Sequence, residues 1–449
     1  MISVPQKKTY EGLYLLRAAF PLMLSNLAGN GISFFSTFFL AHLGEQELIA
    51  GTISLWVYSV ILIVIWGTMC SVSIMVARSY GADDKESVGR ILYDSIILAL
   101  LFSLMGFAVV WNMSVLLAIL GQSPSIVILS RAYFHALAWG LLPDFIGFVL
   151  IQFLIGIGHT KTNLLFTLIW VPITITLNWL LIFGEFKFLK LGIVGLGLGT
   201  SLAYWITTPV LMLYILMGKQ YKPYLDNFFC FRSPIFLKRL LSIGFPIGLM
   251  YCIELVTFLI LNLLMSSISN DLLISNQIVL QYINQTMPIM FAIGQSVGIR
   301  IGHTIGSNKK YLLRKITYLG IIFSFLITLF IVYFYCFFPE ILVTFDLNKD
   351  SRKLVLLDLI KPLFVMGAFF QLIESIRVIL LNVLRALQDT LFSMSVSLCG
   401  FWFFGLPVGY LFAVFFKMGG QGLWLGLIMG CFFSAIFMLK RILQKTTVS

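Results

Sequence analysis

The amino-acid sequence predicts an all-α integral membrane protein, with twelve transmembrane helices in two pseudo-symmetric six-helix lobes. Three observations carry this reading. Hydrophobic residues make up 60% of the 449 positions and charged residues only 11%, against about 45–50% and roughly 25% in soluble domains. The apolar runs are continuous, as in Ile61–Trp66 and Ile321–Phe338, whereas the strands of a membrane barrel alternate apolar and polar. The second half of the chain also repeats the first. With a mean hydropathy of +1.00, a soluble enzyme, a disordered chain and a nucleic-acid-binding domain are excluded. The net charge of +12 belongs instead to basic loops on the inner face of a membrane.

Charged and turn residues cut the chain into spans of about 20 residues or more. The first, at about 14–41, follows a polar start with Lys7, Lys8 and Arg17. Its apolar run is too long for a signal-peptide core, so it is read as a retained helix. The second, about 51–78, follows Glu45 and Glu47 and ends at Arg78. The third, about 90–116, opens after Lys85. The fourth, about 126–155, contains Pro143-Asp144. The fifth, about 163–183, follows His159 and Lys161, and the sixth, about 193–218, opens on Gly192, Gly195 and Gly199. Those glycines lack the preceding strand of a phosphate loop and read as close helix packing.

A basic stretch from Lys219 to Lys238 separates the halves. The seventh span, about 238–266, carries Glu254. The eighth, about 271–299, carries Asn276, Gln277, Gln281, Asn284, Gln285 and Gln295. The ninth is about 315–338. The tenth, about 354–385, carries Glu374 and Arg377, and the last two are about 391–416 and 421–439. With the N-terminus inside, about 21 of the 30 Lys and Arg fall in inner segments and about 8 in outer ones. An even number of spans puts both termini in the cytoplasm.

The repeat appears at an offset of about 225 residues. Ser71–Tyr93 and Ser296–Tyr318 share about seven of 23 positions, including Lys85/Lys310 and Ile91/Ile316. Phe20-Pro21 matches Phe245-Pro246, and the three glycines of span six match Gly419, Gly422 and Gly426. Six spans per half make the repeats parallel, a layout of secondary transporters. The expected division is an N-terminal lobe at 1–218, a cytoplasmic linker at 219–237 and a C-terminal lobe at 238–449, with a cavity between the lobes.

An ionisable side chain in a span costs about 2.5–3.5 kcal/mol on insertion scales and marks a functional candidate. Glu254 has Tyr251 on the same helix face. Glu374 and Arg377, at i and i+3, share another face; they form either a static ion pair or a switch. Asp144 falls within about two residues of the position matching Glu374, and is either the first lobe's titratable group or part of a helix break at Pro143. Asp94 reads as an interfacial residue. The amides Gln277, Gln281, Asn284 and Gln285 suggest a hydrated cavity lining, with interhelical hydrogen bonding as the alternative. The six cysteines (Cys70, Cys230, Cys252, Cys336, Cys399 and Cys431) form no CxxC pair and read as small apolar residues. The four histidines form no metal set, and no hydrolase or nucleotide-binding motif is present.

These residues resemble the multidrug and toxic compound extrusion (MATE) family, in its NorM-like branch. The resemblance runs through Pro21 with Phe35-Ser36-Thr37 and Leu43-Gly44, then Leu177-Asn178-Trp179. It continues through Gly244-Phe245-Pro246 with Glu254, and Ile299-Arg300-Ile301-Gly302-His303 with Gly306. It ends with Glu374, Leu384-Arg385, Gln388-Asp389 and Gly405-Leu406-Pro407-Val408-Gly409-Tyr410.

The resemblance implies a secondary active antiporter, not an enzyme, that exports cationic or amphipathic compounds by alternating access. Na⁺ or H⁺ would be the coupling ion, with no other cofactor. It implies coupling carboxylates at Glu254 and Glu374, with Tyr251 and Arg377 beside them and Asp144, Ser36 and Asn178 as secondary candidates. Na⁺ at Glu254 and Glu374 would be the one metal. Ser36 stands where many relatives have Asp, and Phe370 where some have Tyr. The partners would be a small-molecule substrate and the lipid bilayer, without nucleic acid, for a monomer in the inner membrane of a bacterium. A lipid-linked glycan flippase of the same superfamily is one alternative. It needs a groove of Arg or Lys, and only Arg377 and Arg131 lie away from the inner loops. A polytopic membrane acyltransferase is the other, and no catalytic His or nucleophile assembles for it.

Overall fold

The structure is a computed structural model, and it describes residues 11–184, 190–225, 233–340, 342 and 353–447. Lys7, Lys8 and Cys230, named above, and part of the basic stretch between the halves lie outside these. The described residues are helical, with no strand among them.

In chain order the first helices are α1 (Glu11–Leu43), α2 (Glu45–Met69), α3 (Ser71–Gly81), α4 (Lys85–Trp111), α5 (Met113–Ile119), α6 (Pro124–Ala138), α7 (Leu141–Gly156), α8 (Thr160–Phe183), α9 (Ile193–Met217) and the single turn α10 (Lys222–Leu225). The later ones are α11 (Leu237–Ile268), α12 (Asn270–Gly306), α13 (Leu313–Phe337), α14 (Lys353–Ala386), α15 (Thr390–Leu398), α16 (Leu406–Val414) and α17 (Gly419–Thr447). A π-helical segment, Cys399–Gly405, joins α15 to α16.

Among the described residues, nine helical stretches are long and apolar enough to cross a membrane, and α6 with α7, bent by 53°, makes a tenth. The amide-bearing α12 (37 residues) and α1 (33 residues) complete twelve segments that follow the predicted spans.

Local chemistry sets the boundaries. Asp84 caps α4 by accepting from the Ser87 backbone N–H at 3.0 Å, and the Ser87 hydroxyl together with that N–H holds its carboxyl below the ordinary Asp value. Gly184 ends α8 at φ 74°, a left-handed position open to glycine. Close packing uses the predicted glycines. A side chain at Gly195 or Gly199 would strike the backbone of α8 at Leu181 and Asn178. One at Gly426 would strike Gly405 and Gly409.

Packing divides the chain into two compact units, and the division falls inside two helices. One unit is Leu24–Gly248; the other is Met1–Met23 with Leu249–Ser449. In the second unit, Leu15 and Ala19 of α1 join the core of Val297, Ile301, Ile316 and Leu384. Arg300 clasps Glu11 with bonds of 2.7 and 2.8 Å and lies over the Tyr14 ring. In the first unit, Gly244 and Gly248 of α11 bring its backbone against the Thr68 and Val64 carbonyls of α2. The switch points, 23/24 and 248/249, are 225 residues apart, two residues beyond Pro21 and Pro246.

The repeat is written in the backbone as well. Left-handed residues pair off as Asp83 with Asn308, Gly158 with Gln388, and Gly192 with Gly419. The offset is 225 in the first pair, 230 in the second and 227 in the third.

Candidate functional site

In the unit that holds the C-terminal half, α14 brings Glu374 and Arg377 onto one face, as their spacing predicts, and α11 supplies Glu254. Arg377 Nε donates to Glu374 Oε2 at 2.6 Å and Nη2 to Oε1 at 2.5 Å. The same Nη2 reaches Glu254 Oε1 at 2.8 Å, and Nη1 reaches Ser397 Oγ at 3.3 Å. The guanidinium also lies over the Phe401 ring, carried by the π-helical segment. Such forked, charge-assisted bonds are among the strongest available to a buried ion. The Glu374 and Arg377 side chains are 2% and 1% exposed, while Glu254 keeps 15%. Glu254 is therefore the accessible edge of the assembly. Two carboxylates share one guanidinium, and Arg385 is the next cation that acts on Glu254.

Three features differ from the sequence expectation. Arg377 binds both carboxylates rather than Glu374 alone, because α11 carries Glu254 within reach of the same Nη2 that donates to Glu374. Tyr251 serves Arg385, accepting from Nη1 at 2.8 Å with its ring under the guanidinium. Cys431 of α17, expected to be an apolar filler, donates to Glu374 Oε2 at 3.1 Å. Its signal in the sequence is the glycine offset of 227, which pairs it with Tyr204.

The predicted amides separate from this assembly. Gln277, Gln281, Asn284 and Gln285 lie on the exposed face of α12. Asn276 is buried, donating to Asn262 and accepting from Trp424. Gln371, one turn before Glu374, donates to Thr286 Oγ1 at 2.6 Å.

In the other unit, Asp144 is 7% exposed. Its Oδ2 accepts from Trp66 Nε1 at 3.3 Å, and the Tyr204 hydroxyl is its second partner. Ser36 is buried on α1, and Asn178 on α8 accepts from Thr200. Asp94, expected at the interface, is 2% exposed and accepts from the Phe236 backbone N–H at 2.6 Å, just before α11. Its carboxylate is committed to holding the start of that helix.

No disulfide and no group of three or more metal-ligating side chains occurs among the described residues.

The MatE family model matches residues 21–180 and 246–411, one match in each half. A protein of Oceanobacillus iheyensis named probable multidrug resistance protein NorM is 27% identical over 445 residues, covering 95% of this chain and 96% of its own length. The protein of that name from Pseudomonas putida is 28% identical over 450 residues, covering 98% and 97%. Among solved structures, an outward-facing multidrug resistance MATE family transporter of the MOP superfamily matches at a TM-score of 0.88 and 19% identity, covering 98% of this chain and 96% of that one. The eukaryotic MATE transporter AtDTX14 matches at 0.83 and 20%, covering 96% and 95%.

Proposed function

The chain belongs to the MatE family, and from that membership we propose that it is a multidrug exporter. It exchanges cationic or amphipathic compounds for Na⁺ or H⁺ by alternating access. The observation that carries the proposal is the Glu254–Arg377–Glu374 assembly, two carboxylates held on one buried guanidinium in a membrane-crossing unit. The carboxylates outnumber the guanidinium they share, and charge attraction is strong where the dielectric is low, so a monovalent cation is drawn to Glu254. Glu374 is the fixed anion, held by two bonds to Arg377. Glu254, joined by one bond and partly accessible, is the group that takes the coupling proton or ion. Neutralising it breaks its bond to Arg377 and frees α11 from α14, which gives the coupling step a mechanical consequence.

Because two carboxylates compensate Arg377, the site favours a cation over the pyrophosphate of a lipid-linked glycan. Arg131, the other candidate for such a groove, is exposed. The basic loops support placement in the inner membrane of a bacterium with both termini in the cytoplasm. The coupling ion is the one cofactor and the protein works as a monomer.

Ethidium efflux from proteoliposomes under an imposed Na⁺ or H⁺ gradient tests the reading. Wild-type protein is expected to respond to at least one gradient. Glu254→Gln is expected to lose that response while still binding ethidium. Wild-type rates in Glu254→Gln under both gradients would reject the assignment.

A further inference from the structure

The offset of 230 residues that aligns the left-handed Gly158 with Gln388 also aligns the ends of α7 and α14, at Gly156 and Ala386, and the starts of α8 and α15, at Thr160 and Thr390. Applied along α7, it places Asp144 opposite Glu374 without remainder. The offset of 227 fixed by Gly192 and Gly419 places Tyr204 of α9 opposite Cys431 of α17. The correspondence extends to chemistry, since Tyr204 bonds Asp144 and Cys431 bonds Glu374.

The rest of the assembly is different. Arg377 corresponds to Gly147, where a side chain would strike the Thr208 hydroxyl. At the offset of 225, Glu254 corresponds to Gly29. Each repeat thus keeps a buried carboxylate at the matched position: Asp144 without a cationic partner among the described residues in the first, and Glu374 held with Glu254 on a guanidinium in the second.

We propose that Asp144, with Trp66 and Tyr204, is a second site, in the unit Leu24–Gly248, that holds one exchangeable monovalent cation, H⁺ or Na⁺. This deepens the coupling part of the export reading by adding a second coupling site. The titratable groups facing Asp144 are Tyr58 of α2 and Tyr204 of α9, with Tyr133 of α6 next to those two tyrosines. No Lys, Arg or His among the described residues pairs with it. Its two partners, Trp66 and Tyr204, are neutral donors, and a carboxylate offers about four acceptor positions. A lone charge buried in a span is expensive to keep, so a proton or a small cation is its natural counter-charge. Aromatic rings wall the site: Tyr58 packs on Trp66 at 6.0 Å between centroids, and Trp170 stacks on Tyr204 at 5.6 Å. The Tyr204 hydroxyl donates to Asp144 and keeps an oxygen lone pair beside it for a cation.

Difference infrared spectroscopy of the carboxyl C=O stretch tests this on the full chain in phospholipid nanodiscs. One arm titrates pH without Na⁺; the other titrates Na⁺ at fixed pH. Above the ordinary carboxylate pH range, wild-type protein is expected to have two responding carboxyl groups. Asp144→Asn removes one, Glu254→Gln removes the other, and Asp144→Glu restores the first. The responding arm identifies the cation. If Asp144→Asn does not fold, Tyr204→Phe serves: with one donor gone, the midpoint of the Asp144 response shifts to higher pH, by about tenfold in proton affinity. An unchanged pair of responses in Asp144→Asn, an unmoved midpoint in Tyr204→Phe, or silence of Asp144 in both arms overturns the proposal. Ethidium movement in proteoliposomes is scored separately. Its absence alongside two carboxyl responses would refute export and leave the second site standing.

Discussion

Arg377 is the one side chain whose loss leaves two buried anions without their cation. Arg377→Ala strands Glu374 at 2% exposure and Glu254 beside it. Breaking such a pair from one side costs about 3–5 kcal/mol. The variant should denature well below wild type in a thermal melt in detergent, and adding Glu374→Leu should recover much of the loss without recovering transport. An Arg377→Ala melt that overlays wild type would show that the guanidinium does not hold the site together. Cys431→Ala is expected to be mild, at about 1 kcal/mol or less, because it removes one weak donor from an oxygen that Arg377 still holds. The three charges were legible from the sequence because an ionised group in an apolar span has few innocent explanations. Their grouping was not. Glu254 and Arg377 are 123 residues apart, and which face of α11 meets α14 depends on crossing geometry that no local pattern encodes. The same holds for Tyr251, whose i−3 position beside Glu254 gave no sign of its bond from Arg385.

Helices meet here through glycines and loop clamps, and both give contrasts that can be measured. Gly426→Ala forces a methyl into the backbone of the Gly405–Gly409 turn, which cannot yield as a side chain would. Overpacking of this kind costs about 1–3 kcal/mol. Gly29→Ala meets nothing within 4 Å and removes a flexible residue from a helix, so it should be neutral or stabilising by about 0.5–1 kcal/mol. Equal melting shifts for the two would contradict the packing. At the α14–α15 loop, Asp389 accepts from Arg441 at 2.8 Å and pairs with Lys445 at 2.7 Å. Burial pushes its carboxyl up, but the two cations outweigh this and hold it below the ordinary Asp value. A depressed folded value means that the clamp stabilises fully above the ordinary Asp value and fades only as pH falls through the lowered one. Asp389→Asn should therefore melt lower than wild type at neutral pH, with the two curves converging under strong acid. A constant gap at every pH would assign the loss to packing. The spans were readable from hydropathy because lipid demands long apolar helices. The 53° bend between α6 and α7 and the π-helical turn were not, since both arise where a helix accommodates a neighbour.

At the scale of the whole chain, the repeat was visible as scattered identities, and the structure resolves its drift from 225 to 230 residues. That drift is why no single offset read from the sequence carries Asp144 onto Glu374. The prediction at this scale concerns a chain cut in two. Residues 1–218 made alone lack Gly244 and Gly248, whose close approach covers the Thr68 and Val64 carbonyls. Residues 238–449 made alone lack Glu11, Leu15 and Ala19, which fill the other unit. Neither fragment should persist when expressed singly, whereas co-expression should restore ethidium resistance and allow the fragments to be purified as a pair. Survival of either fragment alone would mean that the borrowed helix ends are dispensable. The exchange at 23/24 and 248/249 also orders events on the ribosome. The first unit stays open until α11 has been translated, more than half-way along the message. The opening turns of α1 must wait longer still, until the partners that will enclose them exist. A ribosome that stalls within the linker releases a polypeptide with one unit unsealed, which a membrane protease can recognise before the second has begun.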